Sequence, residues 1–243
     1  MAEAGSRETL STDVLIVGAG PSGLAAAIRL KQRHPELAVT VVEKAAELGG
    51  HILSGAVMDP RGLDALIPDW RLKGAPVGPG VTSDTYHFLT ATADLAMPHW
   101  AMPPQLKTPD GVIVSLGNLV RWLGEQATEL GVDIFPMTAA VDVLGGGDGP
   151  VRGIITGDLG RDADGNPKPG FAEGIALEAK YTLVAEGARG SLAKSIIADY
   201  RLEQQPQKYG LGIKEIWQIP AERHQPGKVD HYLGFPLDNA TAG

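Results

Sequence analysis

Residues 13–30 read DVLIVGAGPSGLAAAIRL. An apolar run, Val14 to Val17, meets three glycines at G-x-G-x-x-G spacing, and an alanine-rich segment follows. The run reads as a buried strand and Pro21 to Arg33 as a helix. Gly18 permits a tight turn, Gly20 lets the backbone approach a diphosphate, and Gly23 lets helix and strand pack closely. The amides at the helix start, around Pro21 and Ser22, are unpaired donors at the positive end of the helix dipole. Pro21 suits the first helical turn, where its missing N–H is no loss. Val39 to Glu43 (VTVVE) reads as a second strand and completes a β-α-β unit of about thirty residues. Glu43 stands twenty positions after Gly23. A carboxylate there accepts from both hydroxyls of an adenosine ribose and repels a 2′-phosphate. The pattern fixes a diphosphate site but leaves open whether the ligand is a nicotinamide or a flavin dinucleotide.

Composition narrows the partners. The 243 residues carry a net charge of −8 and no Lys/Arg cluster, which argues against nucleic acid. There is no cysteine, so disulfides, iron–sulfur ligation and thiol chemistry are excluded from this chain. The first ten residues, MAEAGSRETL, lack the apolar core of a signal peptide. No apolar stretch is long enough to span a bilayer. The six histidines form no H-x-x-x-H pair, and no G-x-S-x-G elbow occurs, so neither a metal site nor a hydrolase nucleophile is expected. DLGRDADGNPKPG lacks the terminal glutamate of a calcium loop and reads as a solvated turn.

Beyond the opening unit, AAELGGHILSG is a glycine-rich loop, followed by an irregular apolar stretch to Trp70. Lys73 to Asp110 is rich in proline and glycine, with short strand-like pieces TYHFLT and ADLAM, and reads as an excursion into a second layer. Leu116 to Leu130 is helical, with Leu119, Val120, Leu123, Ala127 and Leu130 on one face and Gly131 as its stop. VDIF, AAVDVL, VRGIIT and IALEAKYTLVA then read as strands of an antiparallel meander. Ser191 to Tyr200 reads as a helix and GLGIKEIWQI, from Gly210, as a further strand.

Two features favour a flavin. In EKAAELGGH, the pair Gly49 and Gly50 lets a loop pass close to a second ring system, with His51 beside it. In TLVAEGARGSL, a strand, an acid–glycine pair and a small-residue helix start return to the cofactor, placing Glu186 and Gly187 near the ribityl-diphosphate. Together with the first motif these resemble the two-part FAD-binding domain of glutathione-reductase-like flavoproteins, in the hydroxylase-type branch. That branch implies a cofactor contact from an arginine-containing helix, here Arg121 of NLVRWLGEQA. Lys44, Ser54 and Val141 complete the expected contact set.

The stretches VEKAAELGGHILSGAVMDPRGLDALIPDW, VSLGNLVRWLGEQATELGVDIFP, YTLVAEGARGSLAK and QKYGLGIKEIWQI resemble, in order, the electron-transfer-flavoprotein:ubiquinone oxidoreductase family. The resemblance implies a membrane-surface enzyme that passes electrons from reduced electron-transfer flavoprotein through FAD to ubiquinone. It implies a [4Fe–4S] cluster held by cysteines that this chain does not contain. It also implies that Gly243 is the first of a quinone-contacting glycine pair, that the sequence is the N-terminal part of a longer gene, and that no side chain here acts as an acid–base catalyst. The expected location is the cytoplasmic face of a bacterial inner membrane, or the inner mitochondrial membrane in a eukaryote.

The expected fold is α/β: a Rossmann-like FAD domain over 1–75 and 114–205, an excursion into an α+β quinone or substrate domain over 76–113, and the start of that domain over 206–243. Leu48 to Asp69 reads either as a membrane-facing surface or as a buried loop and helix. Leu95, Met97, Trp100 and Met102 read better as core. Two alternatives stand beside the quinone oxidoreductase: another flavoenzyme of the same branch, hydroxylase or isoprenoid reductase, and a non-catalytic module that binds FAD poorly.

Overall fold

The computed structural model describes residues 7–237, apart from 54, 99, 101, 108–109 and 147–148. Ser54 and Gly243 of the expected site therefore lie outside the described residues. The chain divides into two compact units, residues 1–53 with 117–212 and residues 54–116 with 213–243. Unit 1 opens with β1 (Thr9–Val17), α1 (Pro21–Arg33) and β2 (Val39–Val42). Unit 2 contributes β3 (Gly55–Met58), α2 (Arg61–Leu66), β4 (Val77–Gly80), β5 (Ser83–Leu89), β6 (Asp94–Met97) and β7 (Val112–Ser115). The chain returns to unit 1 with α3 (Leu116–Glu129), β8 (Asp133–Phe135), β9 (Ala140–Gly145), β10 (Val151–Thr156), β11 (Leu159–Arg161), β12 (Pro167–Ala172), β13 (Ala176–Val184) and α4 (Ser191–Asp199). In unit 2, β14 (Lys228–Gly234) follows.

Unit 1 is built on a six-stranded sheet in the order β8-β2-β1-β13-β10-β9. The first four strands are mutually parallel, and β10 runs antiparallel to both β13 and β9. This is a Rossmann-like parallel core joined to the expected antiparallel meander at β13, β10 and β9; VDIF, read with that meander, instead forms β8 and pairs parallel with β2. β1 is longer than its apolar run suggests. Thr9 to Thr12 join the strand because they pair with Ala176 to Ala179, a long-range partner that local hydropathy does not reveal. The core gathers Leu15, Val17, Val42, Val143, Ile154, Leu177 and Leu192. Each such side chain contributes roughly 1.5–3 kcal/mol when withdrawn from water. On α3 the expected face is buried at Leu119, Val120, Leu123 and Ala127, while Leu130 lies past the helix and is exposed.

Unit 2 holds two three-stranded sheets, β3-β7-β4 and β14-β5-β6. The first unit break falls after residue 53, ahead of the boundary read from composition, because Gly55 to Met58 pair with Val112 to Ser115. In the second sheet β14 lies parallel to β5, with Lys228 opposite Ser83 and Gly234 opposite Leu89. The indole N–H of Trp70, itself fully buried, donates to Asp64 at 2.7 Å.

Two expectations are corrected. GLGIKEIWQI forms no strand: residues 202–220 carry no helix or strand, and Leu211, Ile213 and Ile216 are each at least 90% exposed. Its alternating pattern supplies strand propensity, but no described strand pairs with it. DLGRDADGNPKPG is more than a turn, since it carries the β11–β12 hairpin, whose bend is tied by Asp162 accepting the amides of Asp164 and Asn166.

Asp158 anchors that hairpin to the start of the chain. It accepts the Gly174 amide at 2.9 Å, pairs with Arg161 at 2.6 Å and with Arg7 at 3.0 Å. The Gly174 amide first, and the two guanidiniums after it, hold its carboxyl well below the ordinary 3.8. A carboxylate depressed by folding contributes stability above the unfolded value and loses it as pH falls toward the folded one. Asp158→Asn is expected to lower stability at neutral pH and to flatten the loss of stability below about pH 4, measured by urea unfolding across pH.

Candidate dinucleotide site

The turn between β1 and α1 is a crowded backbone crossing in unit 1. Gly18 has φ +106°, and a Cβ there would stand 2.5 Å from the Ala185 carbonyl oxygen. A Cβ on Gly23 would stand 2.0 Å from the Gly18 carbonyl oxygen. Gly20 differs: nothing lies within 4 Å of the position its Cβ would take. Two glycines thus allow backbone to meet backbone, and the middle one leaves open space where a ligand's phosphate would approach. No side chain caps α1, whose N-cap is Gly20 and whose first turn holds Pro21. The donors at that end remain available to an anion.

Glu43 sits just past β2, and its carboxylate is fixed from two sides. One oxygen accepts the Ala19 amide at 2.9 Å and the other the Ala45 amide at 2.8 Å. Its own amide donates to the Phe135 carbonyl, and its carbonyl accepts from Thr138. Each carboxylate oxygen has a second lone pair, so ribose hydroxyls can be added to this geometry without breaking it. Ala19 links the glycine turn to the acid directly. The sequence pattern places both groups but does not show that bond.

The loop after Glu43 is organised differently from its sequence reading. A Cβ on Gly49, at φ +77°, would stand 2.4 Å from the Gly117 carbonyl oxygen, so this glycine seats the loop against the start of α3. A Cβ on Gly124 would meet the Leu48 side chain at 2.2 Å. Gly117 and Gly124, seven apart on α3, give a bare face on which residues 48–49 lie. Their spacing inside a helix was the signal that sequence reasoning passed over. Gly50 turns the loop by donating to the Glu47 carbonyl. Lys44 and His51 are exposed. Arg121 is exposed on α3 and donates to Asn118, and Val141 is 58% exposed on β9.

At the end of β13 the Ala185 amide donates to the Val17 carbonyl at 2.8 Å, which brings Glu186 beside the glycine turn, while nothing lies within 4 Å of where a Gly187 Cβ would be. Glu186 directs its carboxylate at α4, accepting the amides of Ala193 at 2.8 Å and Leu192 at 3.3 Å. The structure therefore gathers Gly18, Gly20, Gly23, Glu43 and Glu186 around one crossing. Unit 2 has a separate open cavity of about 600 Å³ lined by Arg61, Trp70 and Arg71 among others, and it shares none of these residues.

Comparison with known proteins finds two family models and several relatives. A family model described as an NAD(P)-binding Rossmann-like domain covers residues 16–71, and one described as ETF-QO, ubiquinone-binding, covers residues 209–243. A probable electron transfer flavoprotein-ubiquinone oxidoreductase of Acinetobacter baylyi is 49% identical over 239 residues, 95% of this chain. The mitochondrial enzymes of Dictyostelium discoideum and Bos taurus are 50% and 48% identical over 98% and 95% of the chain. This chain is a homologue of the electron transfer flavoprotein-ubiquinone oxidoreductases. It spans 42%, 40% and 38% of the length of those three relatives. Among solved structures, a geranylgeranyl bacteriochlorophyll reductase-like protein of Thermoplasma acidophilum superposes with a TM-score of 0.56 at 17% identity. It covers 93% of this chain and 51% of its own. The flavin-dependent monooxygenase PieE, in complex with FAD and substrate, gives 0.54 at 18% identity over 79% and 32%. These two likenesses establish the fold.

The glycines of the turn separate by role. Gly20→Ala is expected to leave thermal unfolding unchanged and to weaken dinucleotide binding about tenfold or more, the value of a charged hydrogen bond lost to a blocked approach. Gly23→Ala is expected to destabilise the fold itself by ~2 kcal/mol or more, because a backbone oxygen occupies its space. Calorimetry and ligand titration on the two variants distinguish these outcomes.

Proposed function

We propose that this chain is the FAD-binding part, with the beginning of the quinone-binding part, of an oxidoreductase that carries electrons from reduced electron-transfer flavoprotein to ubiquinone. The observation that carries the reading is 49% identity across 95% of the chain to a protein named for that activity. The ubiquinone-binding match over residues 209–243 supports the acceptor.

The site fits an FAD at its adenosine end. Gly20 leaves the approach open, the uncapped start of α1 offers donors to the diphosphate, and Glu43 is held with lone pairs free for ribose. The flavin, when bound, supplies the redox chemistry, and the protein supplies orientation, polarity and access. The turn at residues 18–23 fixes where the diphosphate lies. Glu43 selects an unphosphorylated ribose, and the buried end of β1 with buried β2 backs that part of the site. An iron–sulfur cluster, where the longer family members carry one, takes its cysteines from sequence other than this chain's.

Relatives at 49% identity outweigh fold likenesses at 17–18%, which favours the quinone oxidoreductase over a hydroxylase or isoprenoid reductase. The chain mixed with FAD and passed through gel filtration is expected to retain a yellow flavin spectrum that bleaches with reduced electron-transfer flavoprotein and not with NADPH. Loss of all flavin on the column, or rapid bleaching by NADPH, would overturn the reading.

Membrane contact belongs to the same proposal. No described helix is long and apolar enough to cross a bilayer. Within Leu48 to Asp69, Leu63 and Ile67 are buried and Leu53 is 79% exposed. The better candidates are ones the sequence assigned to a core. Leu95 is 57% and Trp100 83% exposed, whereas Met102 is buried as expected. Exposed apolar side chains of this kind suit shallow insertion at a lipid interface. Leu95→Ala with Trp100→Ala is expected to weaken sedimentation with phosphatidylcholine vesicles roughly thirtyfold, equivalent to ~2 kcal/mol of interfacial burial.

A further inference from the structure

The acid–glycine pair after β13 reads from sequence as a cofactor contact, yet its carboxylate is spent inside the protein. Glu186 accepts two consecutive amides in the first turn of α4, Leu192 and Ala193. These are donors that no helix can satisfy internally. The N-cap residue Gly190 has no side chain to do so. A Cβ on Gly190 would stand 2.4 Å from the Glu186 carboxylate, so the glycine is what admits the acid. The same residue's backbone lies against the glycine turn, with its Cα 3.3 Å from where a Gly18 Cβ would be. Ala185, one residue earlier, is bonded to Val17. Leu192, which receives the carboxylate's grip, is buried in the core beside Leu15 and Val17.

We infer that Glu186 is a positioning residue that clamps the start of α4 to the back of the glycine turn, holding residues 18–20 in the shape a dinucleotide diphosphate requires. This deepens the FAD reading and rests on it for the identity of the ligand. The clamp works through three fixed points: the β1–β13 hydrogen bond, the close pass behind Gly18, and the charged cap on α4. A side chain too short to cap frees α4 and residues 185–190, and with them the wall behind the turn. The clamp acts on the phosphate end, so it affects any adenine dinucleotide or diphosphate equally. A direct ribityl contact would affect FAD alone.

The test uses this chain with Glu186→Ala and Glu186→Gln, titrated with ADP and with FAD, alongside amide hydrogen exchange without ligand. Glu186→Ala is expected to speed exchange at Leu192 and Ala193. It is expected to weaken ADP and FAD by the same factor, about fivefold, the size of a lost helix cap. Glu186→Gln keeps one carbonyl acceptor and is expected to restore part of both effects together. Unchanged ADP affinity with weakened FAD in either variant would overturn the clamp in favour of direct contact, as would unchanged exchange at Leu192 and Ala193. Should Glu186→Ala fail to fold, Glu186→Gln carries the same comparison. If the parent chain binds ADP but not FAD, the FAD reading fails while the ADP and exchange arms still decide the clamp.

Discussion

Unit 1 depends on a steric constraint: β1, α1 and the end of β13 pass so closely that two positions have no room for a Cβ. The 2.0 Å gap at Gly23 and the 2.5 Å gap at Gly18 are distances at which only hydrogen fits. With that crossing in place, β1 pairs β2 on one side and β13 on the other, each in parallel register through Val17. The Gly18 amide then reaches Val42, and the Ala185 amide reaches Val17. Three strand ends converge on one turn, and every group proposed to hold the adenosine diphosphate is positioned by that convergence.

Local pattern was enough for the elements whose determinants are local. The limits of α1 follow from Pro21 at its start and the alanine-rich run behind it, and the structure gives the same helix. The buried face of α3 follows from its spacing. The meander follows from turn residues between apolar runs. Where the outcome rests on a distant partner, the sequence was silent or misleading. Thr9 to Thr12 become strand only because Ala176 to Ala179 lie alongside. Residues 210–219 have the alternation of a strand and no described partner, and they remain irregular.

The site divides the same way. Gly18, Gly20, Gly23 and Glu43 were legible because a tight turn, an open approach and a carboxylate at fixed spacing have one common chemical use. Gly49 was legible as a necessary glycine, but its reason, the carbonyl of Gly117, lies on another element. Glu186 shows the limit most clearly. An acid before glycine at the end of a strand looks the same in sequence whether it faces a ligand or a helix start. Gly190, four residues on, leaves room for the carboxylate at the start of α4.

The distribution of polar groups around the turn also bears on what chemistry the chain supplies. Glu43 and Glu186 each accept two backbone amides. A carboxylate so held anchors the backbone that carries those amides. Asp158, the acid pushed furthest from its ordinary range, lies in the β11–β12 hairpin anchor with Arg7 and Arg161. The acids of unit 1 that are most tightly bound therefore serve geometry. Such an arrangement is consistent with the proposed role, in which side chains fix a bound redox group in place.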